Sequence, residues 1–295
     1  MTTIGHGTTV SDWTYGHREL PSADLLVRGL ALLVHSNVFI ALAATGVAVS
    51  TMLLVGVPLE AVPLFIVFAA TLFVYSLDRV TDLEGDQQDA PRRTAYLRRF
   101  GTLWLAAGVV LYLAAIGLAV ALGLPRAEFL VLPLVAALLY SVFRLKRVLL
   151  VKNLLVGGAW GVIPLGVGVY YGVLWTVEIL FLAGFFTVML AVAAAVFDVR
   201  DRSSDRAEGV RTFPLVVGPR ATRRGAVGVT LAAGAVVVAA VASGVLPTQF
   251  LLLLAFLGYV LAYLPFATPD RGSLFYGFVV DGEHVFLAAL ALAFL

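Results

Sequence analysis

Residues 177–205 read VEILFLAGFFTVMLAVAAAVFDVRDRSSD, an apolar run long enough to cross a bilayer, closed by Asp198, Asp201 and Asp205. A spanning helix needs about 20 apolar residues. On a helix that continues past the run, the three aspartates follow i, i+3, i+7 spacing and share one face. A second cluster, Asp78, Asp82 and Asp86, follows an earlier apolar run at i, i+4, i+8 spacing and drifts only slowly around its helix. Like charges this close repel unless a cation stands between them. Hard cations such as Mg²⁺ take oxygen ligands, often one or two carboxylates together with substrate phosphates. The two clusters therefore point to a membrane enzyme that holds a diphosphate through divalent cations.

The rest of the chain agrees with a bilayer as its solvent. It has 295 residues, 61% hydrophobic and 13% charged, with a mean hydropathy of +1.00, too apolar for a soluble domain of that size. The expected fold is an all-α membrane protein with about nine transmembrane helices in a single bundle and two Asp-rich cytosolic loops. The spans are predicted at 29–54, 57–77, 101–123, 127–143, 153–172, 177–197, 225–245, 248–266 and 274–294. Residues 1–24 carry Asp12, His17, Arg18 and Glu19 and lack the apolar core of a signal peptide, so they read as a retained cytosolic tail before one domain over 25–295. The absence of cysteine excludes disulfides and thiolate metal sites. Glycines of the fifth span, Gly157, Gly158, Gly161, Gly166 and Gly168, permit close helix approach.

With the N-terminus inside, Arg126 is the only one of the 20 Lys and Arg residues expected in an outer loop. This is a strong positive-inside pattern, and it puts the N-terminus and both acidic loops of a multi-pass cell-membrane protein in the cytosol. The arginines sit in short loops with no recognisable binding module, which argues against nucleic acid as a partner. A weak internal repeat places an acid-rich loop after the second and the sixth span, so both clusters should open at one mouth.

The stretch DVRDRSSDRAEGVRTFP, residues 198–214, resembles the second aspartate motif of the UbiA-type intramembrane prenyltransferases. Every position of DxxDxxxD is filled, and Gly209, Thr212 and Pro214 supply the Gly, Thr and Pro that follow. The family's first motif, NDxxDxxxD, is matched at Asp82 and Asp86, whereas Asp78 and Arg79 stand at its Asn-Asp pair. Tyr140, Ser141, Arg144, Lys146, Arg147, Lys152 and Asn153 are similar to the segment between the fourth and fifth helices, so the resemblance covers essentially the whole chain. It implies Mg²⁺, two ions bound with the diphosphate, held by Asp82, Asp86, Asp198, Asp201 and Asp205, with Asp78 in place of the asparagine. Lys146, Arg147, Lys152 and Arg211 would contact the diphosphate, and Arg79, Tyr140 and Asn153 would join the donor site. Asn37, polar at membrane depth, either lines the cavity or makes an ordinary interhelical hydrogen bond.

The implied reaction moves a polyprenyl group from an allylic prenyl diphosphate to a lipid, quinone precursor or other small acceptor and releases diphosphate. A UbiA-like terpene cyclase, which quenches the same cation internally, is the near alternative. A non-catalytic membrane homologue or a transporter is the distant one, disfavoured because transporters place key polar groups near the midplane. Asp281, Glu283 and His284 lie inside the ninth predicted span, where charge is costly. Asp281 and His284, three residues apart, read as a structural pair or an interfacial helix start. The charge asymmetry predicts that a cysteine at Ser203 reacts with an impermeant maleimide only from the cytosolic side and one at Gly123 only from the outer side. Reversed labelling would invert the topology.

Overall fold

The structure is a computed structural model that describes residues 21–81, 91–135, 151–207 and 209–295. Among these residues it contains only helices and their connections. They are α1 (Pro21–His35), α2 (Val38–Val55), α3 (Ala61–Thr81), α4 (Pro91–Ala121), α5 (Val151–Tyr171) and α6 (Val177–Arg200). There follow two short helices, α7 (Arg202–Ala207) and α8 (Phe213–Val216), then α9 (Pro219–Ala242), α10 (Leu252–Tyr263) and α11 (Gly282–Phe294). Eight helical segments among the described residues are long and apolar enough to cross a membrane, the last running from Phe275 through a π-helical turn into α11. The second half of the predicted span 127–143, from residue 136 on, lies outside the described residues.

Backbone chemistry explains where the spans begin and end, because lipid offers no partner for an open N–H or C=O. Gly56 ends α2 in the left-handed region at φ 78, and its N–H reaches the carbonyls of Met52 and Leu53. Gly172 and Gly244 close α5 and α9 at φ 70 and 73. Pro219 opens α9, where its missing N–H is no loss. The first predicted span, 29–54, is corrected: Asn37 adopts a left-handed φ of 63 and separates α1 from α2. The third begins earlier than predicted, with α4 helical from Pro91 through Arg98 and Arg99, because long basic side chains extend from a membrane helix to its interface.

The core lies between α2, α6, α10 and α11, where Phe186, Phe250, Phe256 and Tyr276 are fully buried among aliphatic neighbours. Among the described residues, α5 and α6 pack together most extensively. A methyl group on Gly157 would strike the Thr187 carbonyl, and one on Gly161 would strike the Thr187 hydroxyl and the Ala183 carbonyl. A methyl on Gly168 would come within 2.8 Å of the Leu174 backbone, whereas Gly158 and Gly166 face open space. Three of the five glycines thus serve close approach and two do not. On the opposite side of α2, a methyl on Gly46 would lie 2.8 Å from the His284 carbonyl.

Gly161→Val forces two branched carbons into backbone and should cost about 2–3 kcal/mol. Gly166→Ala should stay within about 0.5 kcal/mol of the parent. Thermal unfolding of the detergent-solubilised variants checks this, and equal midpoints would refute the close-packing account.

Candidate active site

The C-terminal end of α6 delivers the second acid cluster. Helical geometry holds to Arg200, and Asp201 then departs to φ −81, ψ 13 before α7 restarts the helix. The Asp205 N–H donates to the Asp201 carbonyl at 2.9 Å, so the turn is kept although the helix is interrupted. Asp198 and Asp205 consequently face the same cation. The Lys152 ammonium lies 2.8 Å from Asp198 Oδ1 and 3.5 Å from Asp205 Oδ1. Asn153, beside it at the start of α5, donates its amide to Asp198 Oδ2 at 2.9 Å. Two neighbouring residues at one end of α5 thereby hold a carboxylate that is almost entirely buried.

Asp201 is held differently. Arg200 binds it with both arms of the guanidinium, Nε to Oδ1 at 2.6 Å and Nη2 to Oδ2 at 3.1 Å. The same guanidinium lies 5.5 Å from the Phe197 ring centre and 5.2 Å from that of Tyr276, within cation–π range. The predicted common face therefore joins Asp198 to Asp205, while Asp201 turns to its own neighbour. Burial drives the Asp201 carboxyl up, but Arg200, with help from Lys152 and Arg93, outweighs it and leaves the group below the usual carboxylate range. For Asp205, burial together with Asp198 and Asp201 outweighs Lys152, and its pKa is raised to about 6.

The first cluster is described only at its start. Asp82 and Asp86 lie outside the described residues, as do Tyr140, Lys146 and Arg147. Asp78 and Arg79 close α3, half-buried, one turn beyond Tyr75. Arg79, Arg93 and Arg200 all act electrostatically on Asp281, which places the ends of α3 and α6 around one region. Buried Asn37 donates toward the Ser76 hydroxyl of α3 at 3.5 Å, an interhelical contact next to the first motif. Arg211 is exposed.

Among the described residues no three acidic or histidine side chains converge tightly enough to enclose a metal. The donors present nevertheless suit a hard divalent cation. Asp198 and Asp205 offer carboxylate oxygens to one point, and Asp205 Oδ2 is buried without a hydrogen-bond partner among the described residues. Sequence reasoning missed Arg93 and Arg200, both about 5% exposed. Arg200 sits inside the aspartate motif itself, and its position between two acids was the available signal.

The expected Asp281–His284 pair is corrected. His284 Nε2 lies 3.3 Å from Glu283 Oε1, and the Tyr263 hydroxyl donates to Glu283 Oε2 at 2.8 Å. The His284 ring packs against Trp160, Phe186 and Phe256, with centroids 5.0, 5.9 and 5.4 Å away. Asp281 has ordinary right-handed helical geometry at the start of α11, and the imidazole lies beside Glu283 and the surrounding rings rather than beside Asp281.

The UbiA prenyltransferase family model matches residues 37–278, and the chain belongs to that family, a multi-pass membrane family. No curated protein matches the sequence significantly. Among solved structures, a UbiA homologue from Aeropyrum pernix K1 in its apo form is similar at 19% identity and a TM-score of 0.60, covering 88% of this chain and 97% of its own. A UbiA homologue from Archaeoglobus fulgidus bound to DMAPP and Mg²⁺ is similar at 14% identity and a TM-score of 0.54, covering 92% and 98%. A digeranylgeranylglyceryl phosphate synthase structure has the same identity and TM-score, covering 90% and 96%. At these identities the likeness is one of fold.

The raised Asp205 value gives a pH prediction for the metal-free protein. Its folded value of about 6 lies above the ordinary value of 3.8, so the folded state binds more protons between the two. Stability from this group is therefore present at low pH and lost as pH rises through about 6. In EDTA, Asp205→Asn should unfold at a higher temperature than the parent at pH 7.5, and the gap should narrow as pH falls below about 6 and close only near pH 3.8. A gap independent of pH would contradict the buried, charged reading of Asp205.

Proposed function

We propose that the protein transfers a polyprenyl group from an allylic prenyl diphosphate to a lipid, quinone-precursor or other small acceptor, with release of diphosphate. The observation that carries this reading is the pair of buried carboxylates, Asp198 and Asp205, gathered by Lys152 in a complete DxxDxxxD motif at the end of a membrane span. Family membership supports it, as do the DMAPP, GPP and Mg²⁺ bound in the Archaeoglobus fulgidus homologue.

Asp198, Asp201 and Asp205, with Asp78, Asp82 and Asp86 from the first motif, would hold two Mg²⁺ ions. Bound there, Mg²⁺ would neutralise the charge that develops on the departing diphosphate. The side chains divide the remaining work. Asn153 fixes the Asp198 carboxylate in one orientation, so that its oxygens need not reorganise when substrate arrives. Lys152 offsets the repulsion between Asp198 and Asp205 in the free protein, and its ammonium can turn its three donors to a phosphate oxygen once other positive charge is present. Arg200 is held by Asp201, Phe197 and Tyr276, and so contributes a fixed positive charge at the mouth. Arg79, at the end of α3, brings positive charge where the family motif has a carboxylate, and the substitution suits a donor with several negative oxygens.

The allylic cation left after C–O cleavage must meet the acceptor before it meets water. One turn before Asp78, the Tyr75 hydroxyl accepts the Trp160 indole N–H at 3.1 Å, which ties α3 to α5 and holds two aromatic ring faces near the first motif. Such faces stabilise a cation and exclude solvent.

The test is turnover of the purified protein with radiolabelled geranylgeranyl diphosphate, Mg²⁺ and a panel of quinone precursors, glycerol phosphates and other acceptors. A product containing both donor and acceptor is expected. EDTA, Asp82→Ala and Asp201→Ala should each lower the rate at least about 100-fold while the folded protein persists. Full activity in EDTA or in either variant would refute the metal assignment, and a cyclised donor with no acceptor attached would refute the transfer.

A further inference from the structure

The outer seam between α9 and α10 carries two cavities in line. One, of about 420 Å³, opens on the acid-motif side and is lined by Arg220, Arg223, Arg224, Val227, Leu264 and Pro265. The other, of about 530 Å³, continues along the same two helices between residues that include Thr230, Gly234, Val238, Leu254, Gly258 and Leu261. On α9 the lining residues recur every three or four positions, so they form one stripe that is cationic for its first two turns and apolar below. We propose that this seam binds an anionic phospholipid of the surrounding bilayer, with its phosphate on Arg220 and Arg224 and one acyl chain laid between α9 and α10.

The three arginines have different roles. Arg223 Nη1 donates to the carbonyls of Pro265 and Ala267 at 3.2 Å each, filling acceptors that the end of the α10 segment leaves open. Arg220 and Arg224 are exposed, one helical turn apart, and make no salt bridge among the described residues. Guanidinium groups match phosphate oxygens in geometry as well as charge. Below them the stripe from Val227 to Ala239 rises about 18 Å at 1.5 Å per residue, close to the roughly 15 Å depth of one leaflet. The seam stays open because its glycines lack side chains. A methyl on Gly258 would meet nothing within 4 Å, and one on Gly234 would meet only the tips of Leu257 and Leu254, at 3.5 and 3.8 Å.

Charge also decides between a lipid and a second copy of this chain. Two copies related by an axis along the membrane normal would bring their arginine mouths together, like against like, whereas a phosphodiester is complementary.

The protein is purified from nanodiscs holding equal parts dioleoyl phosphatidylglycerol and dioleoyl phosphatidylcholine, and retained lipid is read by native mass spectrometry. The parent should retain phosphatidylglycerol with roughly tenfold preference, since each basic residue at the surface contributes on the order of 1 kcal/mol toward an anionic lipid. Arg220→Gln with Arg224→Gln should reduce the preference to about twofold or less. Gly258→Leu, whose Cβ would meet nothing within 4 Å and whose side chain would occupy the seam, should reduce retention of either lipid. The two variants probe headgroup and chain separately, so either decides the matter if the other fails to fold. Equal retention of the two lipids, retention unchanged in the double variant, or a dimer mass lost in Gly258→Leu would overturn the proposal. So would displacement of the lipid by inorganic diphosphate or geranyl diphosphate at lower concentration than by phosphatidylglycerol.

Discussion

The site depends on how closely the backbone of α5 approaches that of α6. At Gly157 and Gly161 the backbone of α5 packs with no side chain of its own against the Thr187 and Ala183 carbonyls and the small side chains of Thr187 and Ala191. Because the pair is antiparallel, this contact fixes the register along its whole length. One turn and more beyond Gly157, it sets Lys152 and Asn153 opposite Asp198. Without a hydrophobic force between helices in lipid, such small-residue contacts carry much of the association. The packing of two spans is therefore also the alignment of the charges at their ends.

Those charges are arranged as a graded set. Asp198 is held by two donors from α5, Asp201 is fully matched by one guanidinium, and Asp205 keeps an oxygen without a donor among the described residues. Three aspartates spaced almost evenly in sequence thus differ in how much positive charge each has. Deeper in the membrane, polar groups are few and local. Glu283 has Tyr263 and His284 beside it, and aromatic rings enclose the imidazole.

The bilayer as solvent, the helical class and the gathering of acids at the end of α6, the candidate site, were legible in composition, run length and the aspartate spacing. What escaped depends on geometry that pattern alone does not encode. A left-handed residue at Asn37 divides what reads as one apolar run, and nothing in hydropathy marks it. His284 lies beside Glu283 rather than Asp281, because i, i+3 spacing says which side chains can meet and not which neighbouring acid or ring holds the imidazole. The departure of Asp201 from helical geometry separates it from Asp198 and Asp205, because i, i+3 reasoning assumes 3.6 residues per turn throughout. The pairing of Lys152 with Asp198 spans 46 positions and follows from the α5–α6 register, which becomes predictable only once the contact glycines are known to face α6.

Arg200 joins the acid motif to the last membrane segment. Its guanidinium grips Asp201, lies over Phe197 of its own helix and touches Tyr276 of the π-helical turn, whose hydroxyl donates in turn to the Thr268 carbonyl at 2.9 Å. Only a planar, delocalised cation meets a carboxylate edge-on and two rings face-on at once, so lysine cannot replace it without loss at each contact. Positions 197, 200, 201 and 276 consequently form one mechanical unit: a change at any of them alters the fit around the Arg200 guanidinium, although the last lies in a different helical segment.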